Sequence, residues 1–112
     1  LIKHGPVSSL LADAWADYEA ARLLTYATAE GARADAAANL DRSSLAKLFA
    51  TESASRVVDS CVQVMGRWGL VRGSKIEKYY RQARPMRVYE GASEVLRLGI
   101  AARLSKEIDT WT

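Results

Sequence analysis

What the sequence lacks narrows its reading first. A single cysteine, Cys61, leaves no internal disulfide and fits a reducing compartment. One histidine, His4, far from that cysteine in the chain, provides no metal-ligand cluster and anchors no serine–histidine–acid set. Neither a GxxxxGKS/T loop nor a GxGxxG fingerprint occurs. No apolar run approaches the roughly 20 residues that cross a bilayer. With two prolines and no low-complexity tract, the chain is neither disordered nor fibrous. At 112 residues there is room for one domain, 1–112, with one modest core, and not for a multidomain enzyme. The chain opens on Leu1, with no signal-peptide pattern behind it, which points to a piece of a longer chain.

Charge is present but unevenly placed. Residues 1–66 carry a net −2, residues 67–106 a net +7, and the last six residues −2, giving +3 in all. A basic second half suits a polyanion: nucleic acid, a membrane surface, or the phosphates of a nucleotide-like cofactor. Arginines spaced along helices are more often a solvated face than a binding stripe.

The apolar pattern is helical throughout. Leu11, Ala14, Trp15, Tyr18 and Ala21 recur at three- and four-residue steps, predicting a helix from about Val7 to Glu30 with Gly31 as its C-cap. Ala32 to Leu40 reads as a connection, with Asn39 or Asp41 capping the next helix. That helix spans about Arg42 to Met65, with Leu45, Leu48, Phe49, Glu52, Val57, Cys61 and Val64 as its stripe. Gly66 and Gly69 break it, and Gly73-Ser74 keep the chain irregular. A short helix, Ile76 to Arg84, is stopped by Pro85. A last helix runs from about Gly91 to Ile108, with Val95, Leu98 and Ala102 facing inward and Gly99 marking a close helix–helix approach. No strand pattern appears, so the fold class is all-α, an antiparallel helical bundle.

Two local groups carry possible chemistry. The first, Gln63-Val64-Met65-Gly66-Arg67-Trp68-Gly69, is a helix end opening into a glycine-containing turn, where backbone amides can approach a bound group. Its plainer reading is helix termination. In the second, Val88-Tyr89-Glu90-Gly91-Ala92-Ser93-Glu94, an acid stands where a loop enters the last helix. An acid there complements the helix dipole. Beside the apolar Met86, Val88 and Tyr89, a carboxylate can also have its pKa raised enough to act as a general base.

The segment from Gln63 to Arg97 resembles the C-terminal signature of the acyl-CoA dehydrogenase family. That signature runs approximately Q-x-x-G-G-x-G, P-V/I-E-R/K-x-x-R-D-A-K/R, I-Y-E-G-T-S-E-I-x-R. This chain offers QVMGRWG, KIEKYYRQAR and VYEGASEVLR in the same order without insertion. Upstream, LIKHGPVSSLLADAWADYEAARLLTYATA and SLAKLFATESASRVVD resemble the family's two preceding helices. The chain is accordingly identified as a member of the family, corresponding to its C-terminal four-helix domain and starting partway into it.

The resemblance implies an enzyme that holds FAD and oxidises acyl-CoA thioesters to trans-2-enoyl-CoA. By motif position Glu90 matches the catalytic base that removes the α-proton, and Gly91 a position against the substrate. Ala92, Ser93 and Glu94 match a stretch that touches FAD. Gln63, Val64, Met65, Gly66 and Arg67 match a segment contacting the FAD of a neighbouring subunit, and His4 and Gly5 another FAD-contacting pair. It further implies electron-transfer flavoprotein as electron acceptor, a homo-oligomer (dimer or tetramer), and a cytoplasmic location, or the mitochondrial matrix in a eukaryote. No metal and no membrane are implied.

The sequence departs from the pattern at five places. Arg67 replaces the second glycine of the turn, Ala92 a threonine, Gly5 a glutamine, Lys75 a proline and Gln82 an aspartate. Losing the threonine hydroxyl at Ala92 removes a hydrogen bond worth about 0.5–1.5 kcal/mol. The alternative reading is a non-catalytic relative acting as a nucleic-acid-binding or oligomerisation module. The acid at Glu90 argues against it, because a DNA binder has no use for a base.

Overall fold

The computed structural model describes residues 2–35 and 39–110, and among these five helices occur: α1 Gly5–Ala34, α2 Leu40–Met65, α3 Arg67–Leu70, α4 Lys75–Met86 and α5 Ser93–Asp109. No strand occurs among the described residues. The all-α, antiparallel reading therefore holds, with the details below refining it.

Pro6 in the first turn starts α1, where a fixed φ and a missing N–H cost nothing. The helix does not end at Gly31 as expected but continues to Ala34. Gly31 is needed for packing instead: a Cβ there would lie 2.9 Å from Oδ1 of Asn39. Asn39 occupies the N-cap position of α2, yet its side chain does not cap it. Its Nδ2 donates to the Thr28 carbonyl at 2.6 Å, tying the start of α2 to the last turns of α1. That bond fixes the side chain against α1, with Oδ1 beside Gly31 and off the first-turn amides of α2. Of the expected connection, residues 36–38 lie outside the described residues.

α2 is the axis of the molecule. Asn39 against Thr28 and Arg56 against Asp17 set α1 antiparallel to it. α4 and α5 follow one another along its other side. Ser93 bonds Glu52 near the middle and Arg103 pairs with Asp41 at the N-terminal end, so α5 is also antiparallel. α1 packs on α2 through Ala50, Ser53, Ala54 and Val57, whereas α4 and α5 reach Asp41, Leu45, Glu52 and Asp59, about half a turn of helix away. Among the described residues α1 touches neither α4 nor α5. The result is three rows of helix, 53 × 28 × 27 Å. The interior is made of small side chains, Ala14, Ala46, Ser53, Ala83 and Ser93, which lets the backbones approach closely.

The inward faces are only partly those expected. In α1, Leu11, Ala14 and Ala21 turn toward α2, but Trp15 and Tyr18 are exposed and stack on each other with ring centroids 5.6 Å apart. In α2, Leu48, Phe49, Glu52, Val57, Cys61 and Val64 are half-buried, while Leu45 is exposed. The expected face of α5 is wrong. Val95 and Leu98 are 62% and 72% exposed, Ala102 is exposed too, and Ser93, Leu96 and Ile100 face inward. The reason is the start of the helix: Gly91, at φ +93°, cannot be helical, and Ser93 is drawn onto Glu52, which fixes the rotation. Gly99 makes no close approach, since nothing lies within 4 Å of where its Cβ would be.

The connections also differ. Gly66, at φ +55°, ends α2, and the unforeseen single turn α3 follows. Gly69 is buried against α2, where a Cβ would stand 2.9 Å from the Val62 carbonyl oxygen. Ser74 starts α4 rather than disordering it: its hydroxyl accepts from the Glu77 amide, and the Glu77 carboxylate accepts from the Gly73 amide. Pro85 lies inside the last turn of α4 instead of stopping it at Arg84. Its carbonyl accepts from the amides of Val88 and Tyr89, which turns the chain out of the helix.

Two glycine substitutions should therefore act in opposite directions. Gly69→Ala drives a Cβ into fixed backbone and should destabilise by about 1–3 kcal/mol. Gly99→Ala meets only open space in a helix interior and should stabilise by about 1 kcal/mol. Chemical denaturation of the two variants beside the parent measures both. Equal shifts would contradict this account of the α2–α3 packing.

Candidate functional site

Between Met86 and Ser93 the chain leaves α4, turns and enters α5, and the turn is built on α2. The Pro85 carbonyl, accepting from the Val88 and Tyr89 amides, and Gly91 let it reverse within a few positions. Glu90 is the only non-glycine residue with positive φ (52°) among the described residues, and Gly91 follows at φ +93°. A left-handed Glu is unfavourable by about 1–2 kcal/mol, so the surroundings must hold it. The Ser93 amide donates across the turn to the Arg87 carbonyl at 3.1 Å. Lys47 Nζ, from α2, donates to the carbonyls of Met86 and Gly91, each at 2.7 Å. Glu52, also from α2, accepts on one oxygen from Arg87 Nε at 2.8 Å and from the Ser93 hydroxyl at 2.6 Å, with Arg97 3.8 Å away.

Burial alone would push the Glu52 carboxyl upward. The hydrogen bonds from Ser93 and Arg87, with the charges of Arg87 and Arg97, outweigh it and hold the group below the ordinary glutamate value. Glu52 is therefore a carboxylate at neutral pH.

Glu90 itself is exposed, as are Met86, Val88 and Tyr89. The apolar wall expected beside the acid is present in sequence but is not closed over it by any described residue. The amides of Glu90, Gly91 and Ala92 donate to no acceptor among the described residues, and neither do those of Glu94 and Val95 in the first turn of α5. No side chain caps that helix. A carboxylate and a row of free N–H groups thus share one turn, an arrangement suited to moving a proton while donating to a developing oxyanion or a phosphate.

The second group is separate. Gln63, Val64, Met65, Gly66 and Arg67 close α2, with Arg67 lying over the Trp68 ring at 5.3 Å. Along the helix axis, Gln63 is about 16 Å from Glu52. The antiparallel register places His4 and Gly5 alongside that same end of α2, and both are exposed. The structure thus brings Glu90, Gly91, Ala92, Ser93 and Glu94 together at the middle of α2. It gathers His4, Gly5 and the Gln63–Arg67 segment at one end. Lys47 and Arg87 were not anticipated from sequence, and Glu52 only as a stripe member. A charged residue in an otherwise apolar stripe was the one available signal. Among the described residues no group of His, Cys, Asp or Glu could hold a metal ion, and no helix is long and apolar enough to cross a membrane.

The lowered pKa values carry a sign. A carboxyl whose folded pKa is depressed contributes stability above its unfolded value, and that contribution is lost as pH falls through the folded pKa. Glu52 is one such group and Asp17, bonded by Arg56, is another. The denaturation midpoint should fall as pH drops below about 4.5, and Glu52→Gln should flatten that dependence. An unchanged profile in the variant would show that the cluster contributes nothing.

Comparison with known proteins gives a concordant result. Residues 1–105 match the family model for the acyl-CoA dehydrogenase C-terminal domain. Relatives include a 3-(aryl)acrylate reductase of Clostridium sporogenes, 36% identical over 95% of this chain and 28% of its own length. A cyclohexane-1-carbonyl-CoA dehydrogenase of Geobacter metallireducens is 32% identical over 96% of this chain and 28% of its own. A mitochondrial short-chain specific acyl-CoA dehydrogenase of Rattus norvegicus is 39% identical over 84% of this chain and 23% of its own. The chain spans about a quarter of the length of these relatives. With its helical architecture and its YEGASE turn at the head of α5, it belongs to the acyl-CoA dehydrogenase family, as the family's C-terminal domain.

Proposed function

We propose that the domain serves an FAD-dependent enzyme that oxidises acyl-CoA thioesters to trans-2-enoyl-CoA, with Glu90 as the base. The observation that carries this is the turn itself, where an exposed Glu90 and its own unpartnered amide are presented together. The α-proton of a thioester is weakly acidic, so its removal needs both a base and a donor for the carbonyl oxygen. The Glu90 amide donates to that oxygen. The carboxylate takes the Cα proton and becomes a neutral acid, while the released pair builds the Cα–Cβ double bond. Bound FAD supplies the acceptor for the hydride that leaves Cβ. Gly91, its carbonyl held by Lys47, lines the substrate side of the turn.

The residues present suit that cofactor. The free amides at the head of α5 suit a pyrophosphate beside Ala92, Ser93 and Glu94. Gly5 and Gly66 have open space around their missing side chains, which permits close approach of a bound group. Two clusters on different parts of α2 are what the reading requires, because the Gln63–Arg67 segment, with His4 and Gly5, would hold the FAD of a neighbouring subunit. Exposed Trp15, Leu23, Tyr26, Leu70 and Leu98 agree with a domain covered in a homo-oligomer. Electron-transfer flavoprotein is the corresponding electron acceptor. The site of action is the cytoplasm, or the mitochondrial matrix in a eukaryote.

One relative's name is that of a reductase, and the same turn would serve that direction, with the protonated Glu90 returning its proton to Cα while bound reduced flavin would supply the hydride for Cβ. A nucleic-acid role finds less support, because Arg81, Arg87, Arg97 and Arg103 are engaged in ion pairs within the domain. Retention on duplex DNA at low salt, lost as salt rises, would favour it.

In the intact protein Glu90→Gln should retain FAD, seen by its absorbance, and lose acyl-CoA oxidation by about 100-fold or more. Near-normal turnover in that variant removes Glu90 as the base. The 112-residue chain alone should show no oxidation, because the rest of the flavin site would come from outside it. Measurable turnover by the purified chain refutes that.

A further inference from the structure

We propose that Glu52 is a positioning residue for Glu90: through Arg87 and Ser93 it fixes the direction in which the base leaves its turn. The inference rests on the function proposed above and extends it to a residue on a different helix.

Three observations carry it. First, Arg87 and Ser93 flank Glu90 symmetrically, three residues to either side, and a single oxygen of Glu52 accepts from both, at 2.8 and 2.6 Å. One carboxylate therefore closes the turn from both ends. Second, the residue between those ends is the one non-glycine with positive φ among the described residues, a conformation that persists only where surrounding contacts impose it. Third, the Glu52 side chain is only 16% exposed while Glu90 is exposed, so the anchor is fixed in the helix array and the residue it directs is free to meet a ligand.

Lys47 ties the backbone of the same turn through the Met86 and Gly91 carbonyls, and by itself it would leave the Arg87 and Ser93 side chains unheld. Without Glu52 the turn keeps its lysine contacts and the Ser93 amide on the Arg87 carbonyl, but both side chains at its ends lose their shared anchor. Glu90 is then released from the left-handed conformation that aims its carboxylate. A misplacement of about 1 Å at a reacting group can cost about 100-fold in rate. The loss should fall on the proton-transfer step and leave substrate affinity alone, because Glu52 itself lies behind the turn.

The test uses the intact, flavin-loaded protein and two variants, Glu52→Gln and Arg87→Gln. Arg87→Gln breaks one of the two bonds and leaves the α2 carboxylate in place, so it reports on the clamp even if Glu52→Gln folds poorly. Two readouts are taken. Amide hydrogen exchange of Val88, Tyr89 and Ser93, the hydrogen-bonded amides of the turn, should quicken about tenfold or more in the resting form of both variants, with the remainder of α2 unchanged. On anaerobic mixing with saturating acyl-CoA, the rate of flavin bleaching should fall about 10- to 100-fold, with the substrate dissociation constant within about twofold of the parent and a larger isotope effect from α-deuterated substrate.

Parent-like exchange at those three amides overturns the assignment, and so does a loss that falls on substrate affinity. If no acyl-CoA bleaches the flavin of the parent protein, the function beneath the proposal fails. Exchange still reads the clamp in that case, so the two failures are distinguishable.

Discussion

Everything in this domain is held by one helix. α1, α4 and α5 each pack on α2, and α1 touches neither of the others among the described residues. An amphipathic helix normally buries one stripe. α2 buries two, on opposite sides, and this explains why its apolar stripe contains a carboxylate. On one side Ala50, Ser53, Ala54 and Val57 meet α1 through small contacts. On the other, Glu52 is the meeting point for three chain segments and is satisfied by Arg87, Ser93 and Arg97. A buried carboxylate is tolerable only with such partners. The same partners fix where α5 begins.

The sequence made the helices legible but not their rotations. Element ends came out within a few residues where the punctuation is local, as at Gly66, which ends α2 and is read without tertiary context. Inward faces depend on what the helix meets. In α5 two apolar sets, Val95/Leu98/Ala102 and Leu96/Ile100, have equally helical spacing, and only the Ser93–Glu52 bond chooses between them. Gly31 and Gly99 were misread for the same reason. A glycine's neighbours across a helix interface leave no trace in its own local sequence, and the neighbour of Gly31 is Asn39.

The candidate site divides along the same line. Glu90 and Gly91 belong to a contiguous motif and were readable as such. Lys47 and Glu52 act from about 40 residues away, and only folding brings them to the turn. The lopsided charge has a structural account as well. Part of the positive excess after residue 66 neutralises acids of the first half, Asp41 by Arg103 and Glu52 by Arg87 and Arg97. The two halves are electrostatic complements across α2.

That α2 has two independent faces bears on how the domain comes apart. The α1 seam is fastened by Asp17–Arg56 and by Asn39 on the Thr28 carbonyl, and neither fastening involves the turn that carries Glu90. A contiguous unit with its own contacts can open without global unfolding. Opening the α1 seam therefore breaks none of the hydrogen bonds that hold the acid-bearing turn to α2. The domain is in effect two subdomains that share a spine.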